Sequence, residues 1–456
     1  MKKNIVLYIM LLFSAFSFSQ NKDRWEIMND NVIEWKIDSN NIPHFDHVEM
    51  SGQMLSVVLR YGVDEYGAFH LNRSLIFPML RLKPNKTQSN LKQRFNINIA
   101  DLLTIEDKCL IDEIVKNISF NGIMKVVSSF SYISGRNIVK DGILLTRILY
   151  PSTLSPYYCE EYYVENMSNK PVTMRIPDWK MTYTTPDSAG VYGAYSIDAI
   201  LSKKGTFVIY PKKKLSFYAL FSGRKSNEIS IYKANIDSEW DAREKLLKQW
   251  EESLVLNTPD KILNTMFAFA KIRSAESIYN TKGGFMHGPG GESYYAAIWA
   301  NDQAEYINPF FPYLGYEIGN LSALNSFRHF ARFMNPQYSP LPSSIISEGV
   351  DTWRGAKDRG DAAMIAYGAS RYALARGNMS EAFELWPLIE WCLEYCKRKL
   401  TSFGVVASDS DELENRFPSG NANLSTSCLY YDALKSAIYL GKELGISLSQ
   451  LKIYAK

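Results

Sequence analysis

The pattern of hydrophobic and polar positions along this chain changes near residue 236. From about residue 25 up to that point, short segments rich in valine, isoleucine, leucine, tyrosine and phenylalanine alternate with turn-forming residues, which is typical of β-strands. Five segments show this pattern most clearly: 54–61, 142–150, 159–165, 172–176 and 206–221. Because no helical segment lies between them, they predict an antiparallel β-sandwich over residues 20–235 rather than a parallel α/β sheet.

After residue 236 the apolar residues recur at helical spacing. Residues 237–254 are strongly helix-forming and carry one apolar stripe, made of Trp240, Leu246, Leu247 and Trp250. This stripe predicts a linker helix within residues 236–257, packed between two domains.

A second helix is expected to begin at Thr258-Pro259-Asp260, with the Thr258 hydroxyl as its cap and proline at the first helical position. Its buried face is predicted to consist of Ile262, Leu263, Met266, Phe267 and Ala270. Five more helices are predicted at about 302–315, 319–334, 358–376, 380–400 and 425–445. We therefore expect six helices in residues 258–456. The long loops between them, at 281–301, 335–357 and 401–424, are where a helical scaffold places a site.

The N-terminus has the features of a secretory signal. Lys2 and Lys3 precede an apolar run over residues 5–18, and the small residues Ser17 and Ser19 precede a polar segment. The run is too short to span a bilayer comfortably, and no later segment is long and apolar enough to do so. We therefore expect residues 1–19 to be removed during export, and the mature protein to be periplasmic or extracellular.

Composition argues against several functional classes. The formal charge of +3 gives no reason to expect nucleic acid or an acidic membrane surface as a partner. The five cysteines are scattered and form neither a disulfide framework nor a metal-binding pair. His44, Asp46 and His47 have no evident third ligand group beside them, so neither a metal nor a cofactor is predicted. The 29 tyrosines and 9 tryptophans offer flat faces that suit sugar rings, although they suit an ordinary core equally well.

Three loops carry residue types that chemistry could use. They cover residues 283–302, 348–361 and 408–417, and their candidate residues are Trp299, Asp302, Trp353, Arg354, Arg359, Asp361, Asp411, Glu412 and Glu414. Cleaving a sugar bond requires one carboxyl as proton donor and a second as base or nucleophile. Each candidate also has a purely structural explanation, since Asp302 could cap a helix and an acidic run is more often a solvated turn.

The order of these three segments resembles that of the six-hairpin glycosidases, the (α/α)6-barrel group that includes glucoamylases and α-L-rhamnosidases. Residues 294–302 are similar to the aromatic W-x-R-D segment of that group, with Asn301 in place of the arginine. Residues 351–361 are similar to the segment that leads into the fourth barrel helix. The resemblance implies substrate contacts by Asp302, Trp353, Arg359 and Asp361. We also expect Trp299, Arg354 and Asp411 to bind substrate.

The resemblance also implies the chemistry. The loop at 408–417 lies between the fifth and sixth helices, where glucoamylase-like members keep their general acid, so Glu412 or Glu414 is implied as the proton donor of an inverting glycoside hydrolase. The family's base lies near the end of a complete barrel, which needs on the order of 300 residues. Residues 258–456 do not provide that length, so we expect an incomplete (α/α)6 toroid. The sequence favours a fragment of a longer enzyme over a half-barrel that pairs with a second chain or only binds sugar.

Two other functions stay open from the sequence. A non-catalytic carbohydrate-binding protein would use the same aromatic cleft without releasing sugar. A polysaccharide lyase would also combine a helical toroid with a β-sandwich. Such lyases normally place the toroid first and rely on tyrosine, histidine and arginine. The order found here, with the β-rich region first, the small number of histidines (five) and the acidic third loop therefore argue against a lyase.

Overall fold

A computed structural model describes residues 24–28, 31–347, 350–452 and 454 of the chain. The expected signal segment, residues 1–19, lies outside the described residues, as does Glu348. Within the described residues, an antiparallel β-rich region is followed by a largely helical region.

The β-rich region extends to residue 225. Its strands are β1 Glu26–Ile27, β2 Ile33–Lys36, β3 His44–Ser51, β4 Ser56–Val63, β5 Phe69–Arg81, β6 Asn90–Phe95, β7 Thr104–Ile105, β8 Lys108–Cys109, β9 Ile111–Phe120, β10 Met124–Ser134, β11 Asn137–Pro151, β12 Tyr157–Asn166, β13 Val172–Ile176, β14 Lys180–Thr184, β15 Tyr195–Leu201, β16 Gly205–Ile209 and β17 Lys214–Lys225. A short 3₁₀ helix covers Ile99–Leu102.

These strands form three sheets. The largest has nine strands in the order β1-β2-β9-β10-β11-β12-β17-β15-β14, and two four-stranded sheets have the orders β3-β4-β5-β6 and β16-β13-β7-β8. Leu59 and Leu75 of one sheet are fully buried in the same apolar cluster as Ile118, Leu145 and Phe221 of the nine-stranded sheet. The sheets therefore share one core, as expected for a sandwich. The predicted segment 206–221 is two strands, because the turn after Ile209 separates β16 from β17.

The second region contains the helices and five short strands. The helices are α1 Ile236–Glu252, α2 Lys261–Glu276, a π-helix Ala300–Ile307, α3 Phe311–Leu314, α4 Glu317–Ala331, α5 Asp361–Arg376, α6 Met379–Arg398, α7 Leu424–Glu443 and α8 Leu448–Leu451. The strands are β18 Ile278–Thr281, β19 Gly284–His287, β20 Ala297–Trp299, β21 Ser344–Ile346 and β22 Thr352–Trp353. In the described part of the chain, no helix is long and apolar enough to cross a membrane.

The helix predicted at 302–315 is two elements. Residues Ala300–Ile307 are π-helical, and the backbone N–H of Asn308 donates to the carbonyl of Gln303 at 2.8 Å. Pro309 follows, and a proline has no N–H to continue the ladder. The chain resumes as the short helix α3.

The prediction for α2 was wrong in two respects. Its cap is Asp260 rather than Thr258, because the Asp260 Oδ1 atom accepts from the backbone N–H groups of residues 262 and 263 at 2.8 and 3.3 Å. The predicted buried face is turned outward, with Ile262 68% and Met266 60% exposed. The opposite face is buried instead, and Lys271 within it donates to the Trp250 carbonyl at 2.8 Å.

Polar contacts connect the β-rich and helical regions at several points. The guanidinium of Arg243, on α1, is fully buried and donates to the Ser51 carbonyl of β3 at 2.9 Å and to Glu276 of α2 at 2.6 Å. Glu292, in the loop before β20, accepts from Arg60 at 2.5 Å and from Arg94 at 3.1 Å. The Glu292 contacts hold the first loop of the helical region against the four-stranded sheet of β3–β6.

Helix α5 lies at the centre of the helical region. It packs against the π-helix, α6 and α7, and small residues let these neighbours approach closely. A Cβ atom added to Gly368 would lie 1.7 Å from the carbonyl oxygen of Ala304 in the π-helix. Because α5 begins at Asp361, this packing brings its N-terminal end beside the π-helix and the third loop.

Candidate functional site

One cleft of about 510 Å³ gathers residues from the three loops and from the β-rich region. Its aromatic lining residues are Tyr294, Trp299, Tyr306 and Trp353, and its polar ones are Thr87, Gln88, Asn301, Asp302, Glu412, Glu414 and Arg416. Pro289 and Leu413 complete it. We call this space the site cleft.

The three-stranded sheet of β20, β21 and β22 positions the two tryptophans. Trp299 and Trp353 both pair with Ser344, one from each side. Residues directly opposite one another across a sheet project to the same face, so both indoles belong to one face with Ser344 between them. Two strand spacings separate their backbones by roughly 10 Å. Tyr294 packs edge-on against Trp299, with ring centroids 5.1 Å apart.

The π-helix carries the next group of site residues. It begins directly after Trp299, whose backbone N–H donates to the Gln303 side chain, and that side chain also donates to the His287 carbonyl at 3.2 Å. In a π-helix, residues four and five apart lie on one face. This places Asn301, Asp302 and Tyr306 together in the cleft lining. Such segments are rare and are frequently found at functional sites.

The Arg359 guanidinium ties the second loop to the other two. Its side chain is fully buried and donates to Asp361 at 2.8 Å, to Glu414 at 3.1 Å and to Asn301 at 3.2 Å. It also lies 5.8 Å from the centre of the Trp353 ring, within cation–π distance. Gly360, which follows it, has a left-handed φ of 87°. This conformation lets Arg359 and Asp361 meet across a tight turn, and glycine adopts it without strain.

Several carboxyls crowd around this guanidinium. Burial raises the pKa of Asp302, although the charge of Arg359 opposes that effect. Burial, followed by the charge of Glu412, raises the pKa of Glu305 to about 7. Glu412 itself accepts from the Tyr306 hydroxyl at 2.8 Å. Asp302 and Glu305 therefore keep their protons to a higher pH than carboxyls in water do.

The predicted site residues fall into three groups. Trp299, Asp302, Trp353, Glu412 and Glu414 line the site cleft. Arg359 and Asp361 lie behind the lining and are buried. Arg354 and Asp411 do not line the cleft: the Arg354 side chain is exposed, and Asp411 forms a turn by accepting from the backbone N–H of residue 413 at 3.0 Å.

Other site residues were not predicted. Tyr294 and Asn301 lie within the segment that carries the resemblance, and Glu305 and Tyr306 follow it directly. The spacing of Asp302, Glu305 and Tyr306 was the available signal, because residues three and four apart share a helix face. Gln88 comes from the β-rich region and donates to the Tyr294 hydroxyl at 2.7 Å. No local pattern links these two residues.

Among the described residues, no group of three or more histidine, cysteine, aspartate or glutamate side chains is arranged to hold a metal ion.

Comparisons with known proteins give no family. No protein-family model matches the sequence, and no curated protein sequence is similar to it. Similar solved structures include a protein described as a kojibiose phosphorylase from the human microbiome, at 8% identity and a TM-score of 0.46, covering 95% of this chain and 70% of that one.

Two further structures belong to this set. A bacterial glucoamylase in complex with acarbose has 10% identity and a TM-score of 0.45, over 93% of this chain and 69% of its own. A rhamnosidase from a Bacillus species has 12% identity and a TM-score of 0.36, over 72% of this chain and 34% of its own. At these values, membership of the six-hairpin family stays a prediction.

Proposed function

We propose that this chain is a glycoside hydrolase and that the site cleft binds its sugar substrate. One observation carries the proposal: two tryptophans on one sheet face and three carboxyls, Asp302, Glu412 and Glu414, line a single cleft. Flat aromatic faces stack on sugar rings, and paired carboxyls are the groups that hydrolyse glycosidic bonds. The six-hairpin fold with an incomplete toroid is part of the same proposal.

Glu412 is the better candidate for proton donor. A donor must be protonated before it acts, and protonating Glu414 would weaken its 3.1 Å ion pair with Arg359. Glu412 accepts from the Tyr306 hydroxyl through Oε2 and can keep this bond while Oε1 carries a proton. Glu414, Asn301 and Asp302 are then left to bind sugar hydroxyls.

We further propose that a second chain covers part of the helical region and contributes the water-activating base of an inverting reaction. The proposal is supported by large apolar side chains at the surface of α7 and of the preceding loop, namely Phe403 (91% exposed), Leu424 (80%), Tyr431 (62%) and Tyr439 (59%). Exposed apolar surface of this kind often marks an interaction site. Light scattering after size-exclusion chromatography tests whether a second chain binds. It is measured on the purified protein alone and together with any chains that co-purify with it.

The function is tested by measuring sugar release from a panel of neutral oligosaccharides by wild type, Glu412→Gln and Glu414→Gln. We expect Glu412→Gln to lower the rate by about 10²–10⁴-fold, the usual loss when a general acid is removed. Glu443→Gln, at an exposed position on α7, is the matched control and should retain full activity. Full activity in Glu412→Gln would contradict its assigned role.

The same assays, run on the neutral panel and on uronic-acid oligosaccharides, separate the alternative functions. Binding that depends on Trp353 without any release of sugar would indicate a non-catalytic carbohydrate-binding protein. A product with a new carbon–carbon double bond, detected by its ultraviolet absorbance, would indicate a lyase. We also propose export and cleavage after residue 19, which N-terminal sequencing of the secreted protein tests.

A further inference from the structure

Glu305 is a partly buried carboxyl directly behind the lining of the site cleft. It lies on the π-helix between Asp302 and Tyr306, which both line the cleft. Its Oε2 atom is buried and has no hydrogen-bond partner among the described residues. Burying a charged oxygen without a partner is costly, whereas a neutral carboxyl is far easier to bury. The position of Glu305 therefore favours its protonated form.

Tyr306 connects Glu305 with the proposed proton donor. Its hydroxyl donates to Glu412 Oε2 at 2.8 Å and also interacts with the Glu305 carboxyl. The groups that face Glu305 are Asp302 and Tyr306 on its own helix, Glu412 on the third loop and Arg359 on the second. Besides burial, the charge of an ionised Glu412 opposes the ionisation of Glu305, so Glu305 keeps its proton to a higher pH than it would without this neighbour.

We propose that Glu305, Tyr306 and Glu412 form one proton-sharing unit, in which Glu305 is a positioning residue that keeps a proton available to Glu412. This inference rests on the proposed function. Glu412 gives its proton to the leaving oxygen as the bond from that oxygen to the sugar carbon breaks. The base on the second chain removes a proton from water, whose hydroxyl adds to the carbon, and the unit takes up a proton from solvent. Tyr306 passes a proton from Glu305 to Glu412 by accepting one on its oxygen while releasing its own.

The carboxyl pair can be tested without any substrate, by urea unfolding of wild type and Glu305→Gln between about pH 4 and pH 9. The pKa of Glu305 is raised in the fold from 4.5 to about 7. Its contribution to stability is therefore complete at low pH and is lost as the pH rises through this interval. Relative to wild type, the variant should become more stable across the same interval and then level off. In a Glu412→Gln background, the midpoint of this change should move to lower pH.

A stability difference that does not vary with pH would overturn the proposal, as would a midpoint that Glu412→Gln leaves unchanged. Glu443→Gln is again the control and should show no pH-dependent difference.

The pH profile of kcat/KM tests the link to the reaction. In Glu305→Gln the alkaline limb should move to lower pH, because Glu412 no longer shares its proton with a second carboxyl, and Glu305→Asp should restore part of the wild-type profile. An unchanged limb in an active Glu305→Gln variant would overturn the role of Glu305. If the stability difference depends on pH but the protein releases no sugar, the interaction between the two carboxyls would be supported and the proposed function contradicted.

Discussion

The buried guanidinium of Arg359 should be the main structural support of the site. It is fully buried and ion-paired with Asp361, which is itself only 2% exposed, at 2.8 Å. Arg359→Met keeps most of the side-chain length and removes the charge. The Asp361 carboxylate would then keep the Ser343 hydroxyl, at 2.7 Å, as its remaining side-chain partner.

The expected magnitude follows from these contacts. Breaking a buried ion pair by removing one partner costs about 3–5 kcal/mol, because the other charge stays buried without compensation. The pair with Glu414 adds less than about 1 kcal/mol, since the Glu414 side chain is 27% exposed and screened by water. We therefore expect Arg359→Met to lower the free energy of unfolding by about 3–5 kcal/mol in urea denaturation at neutral pH.

Two further variants make this test specific. Arg354→Met removes an exposed arginine from the same loop and should change stability by no more than about 0.5 kcal/mol. The double variant Arg359→Met/Asp361→Asn should recover a substantial part of the loss, because no unpaired charge remains. A loss below about 1 kcal/mol in Arg359→Met would contradict a buried ion pair at this position, since that is the size of a surface ion pair.

Two other predictions concern packing and pH. Gly368→Ala should destabilise the protein by about 1–3 kcal/mol or more, because the added Cβ would lie 1.7 Å from the Ala304 carbonyl oxygen. Gly420→Ala is the control in thermal unfolding, because the nearest atom to its added Cβ would be 3.6 Å away. Equal stability of the two variants would contradict the close packing of α5 on the π-helix. Although burial opposes ionisation, Arg60 and Arg94 lower the pKa of Glu292 from 4.5 to about 2. This contribution to stability is present above pH 4.5 and is lost as the pH falls towards 2. Wild type should therefore be more stable than Glu292→Gln near neutral pH, and the difference should vanish in acid. A stability difference that is the same at both pH values would contradict the contact of Glu292 with Arg60 and Arg94.

The division into a β-rich and a helical region could be predicted because hydrophobic periodicity is a local property. The buried face of α2 could not be predicted, because the apolar pattern of this helix favours Ile262 and Met266 as the inner face. The structure buries Lys271 instead, since its ammonium donates to three carbonyls at the end of α1, at 2.6–3.1 Å. Which face of a helix is buried depends on neighbours distant in sequence, and a lysine with three carbonyl acceptors can be buried at modest cost.

The contacts within the site also depend on residues that are distant in sequence. The sequence indicated Trp299, Asp302 and Trp353 as candidates, and strand pairing through Ser344 brings the tryptophans into one cleft. Glu305 was missed because the groups that raise its pKa include Glu412, on a loop distant in sequence. Gln88 was missed because its contact with Tyr294 crosses between the two regions.

The most direct test of the central claim is a crystal structure of Glu412→Gln bound to an oligosaccharide that the wild-type protein cleaves. We expect a sugar ring between Trp299 and Trp353, with the scissile oxygen within about 3 Å of the residue 412 side chain. A sugar bound elsewhere, for example in the wider cleft beside Phe45 in the β-rich region, with the site cleft empty, would contradict it.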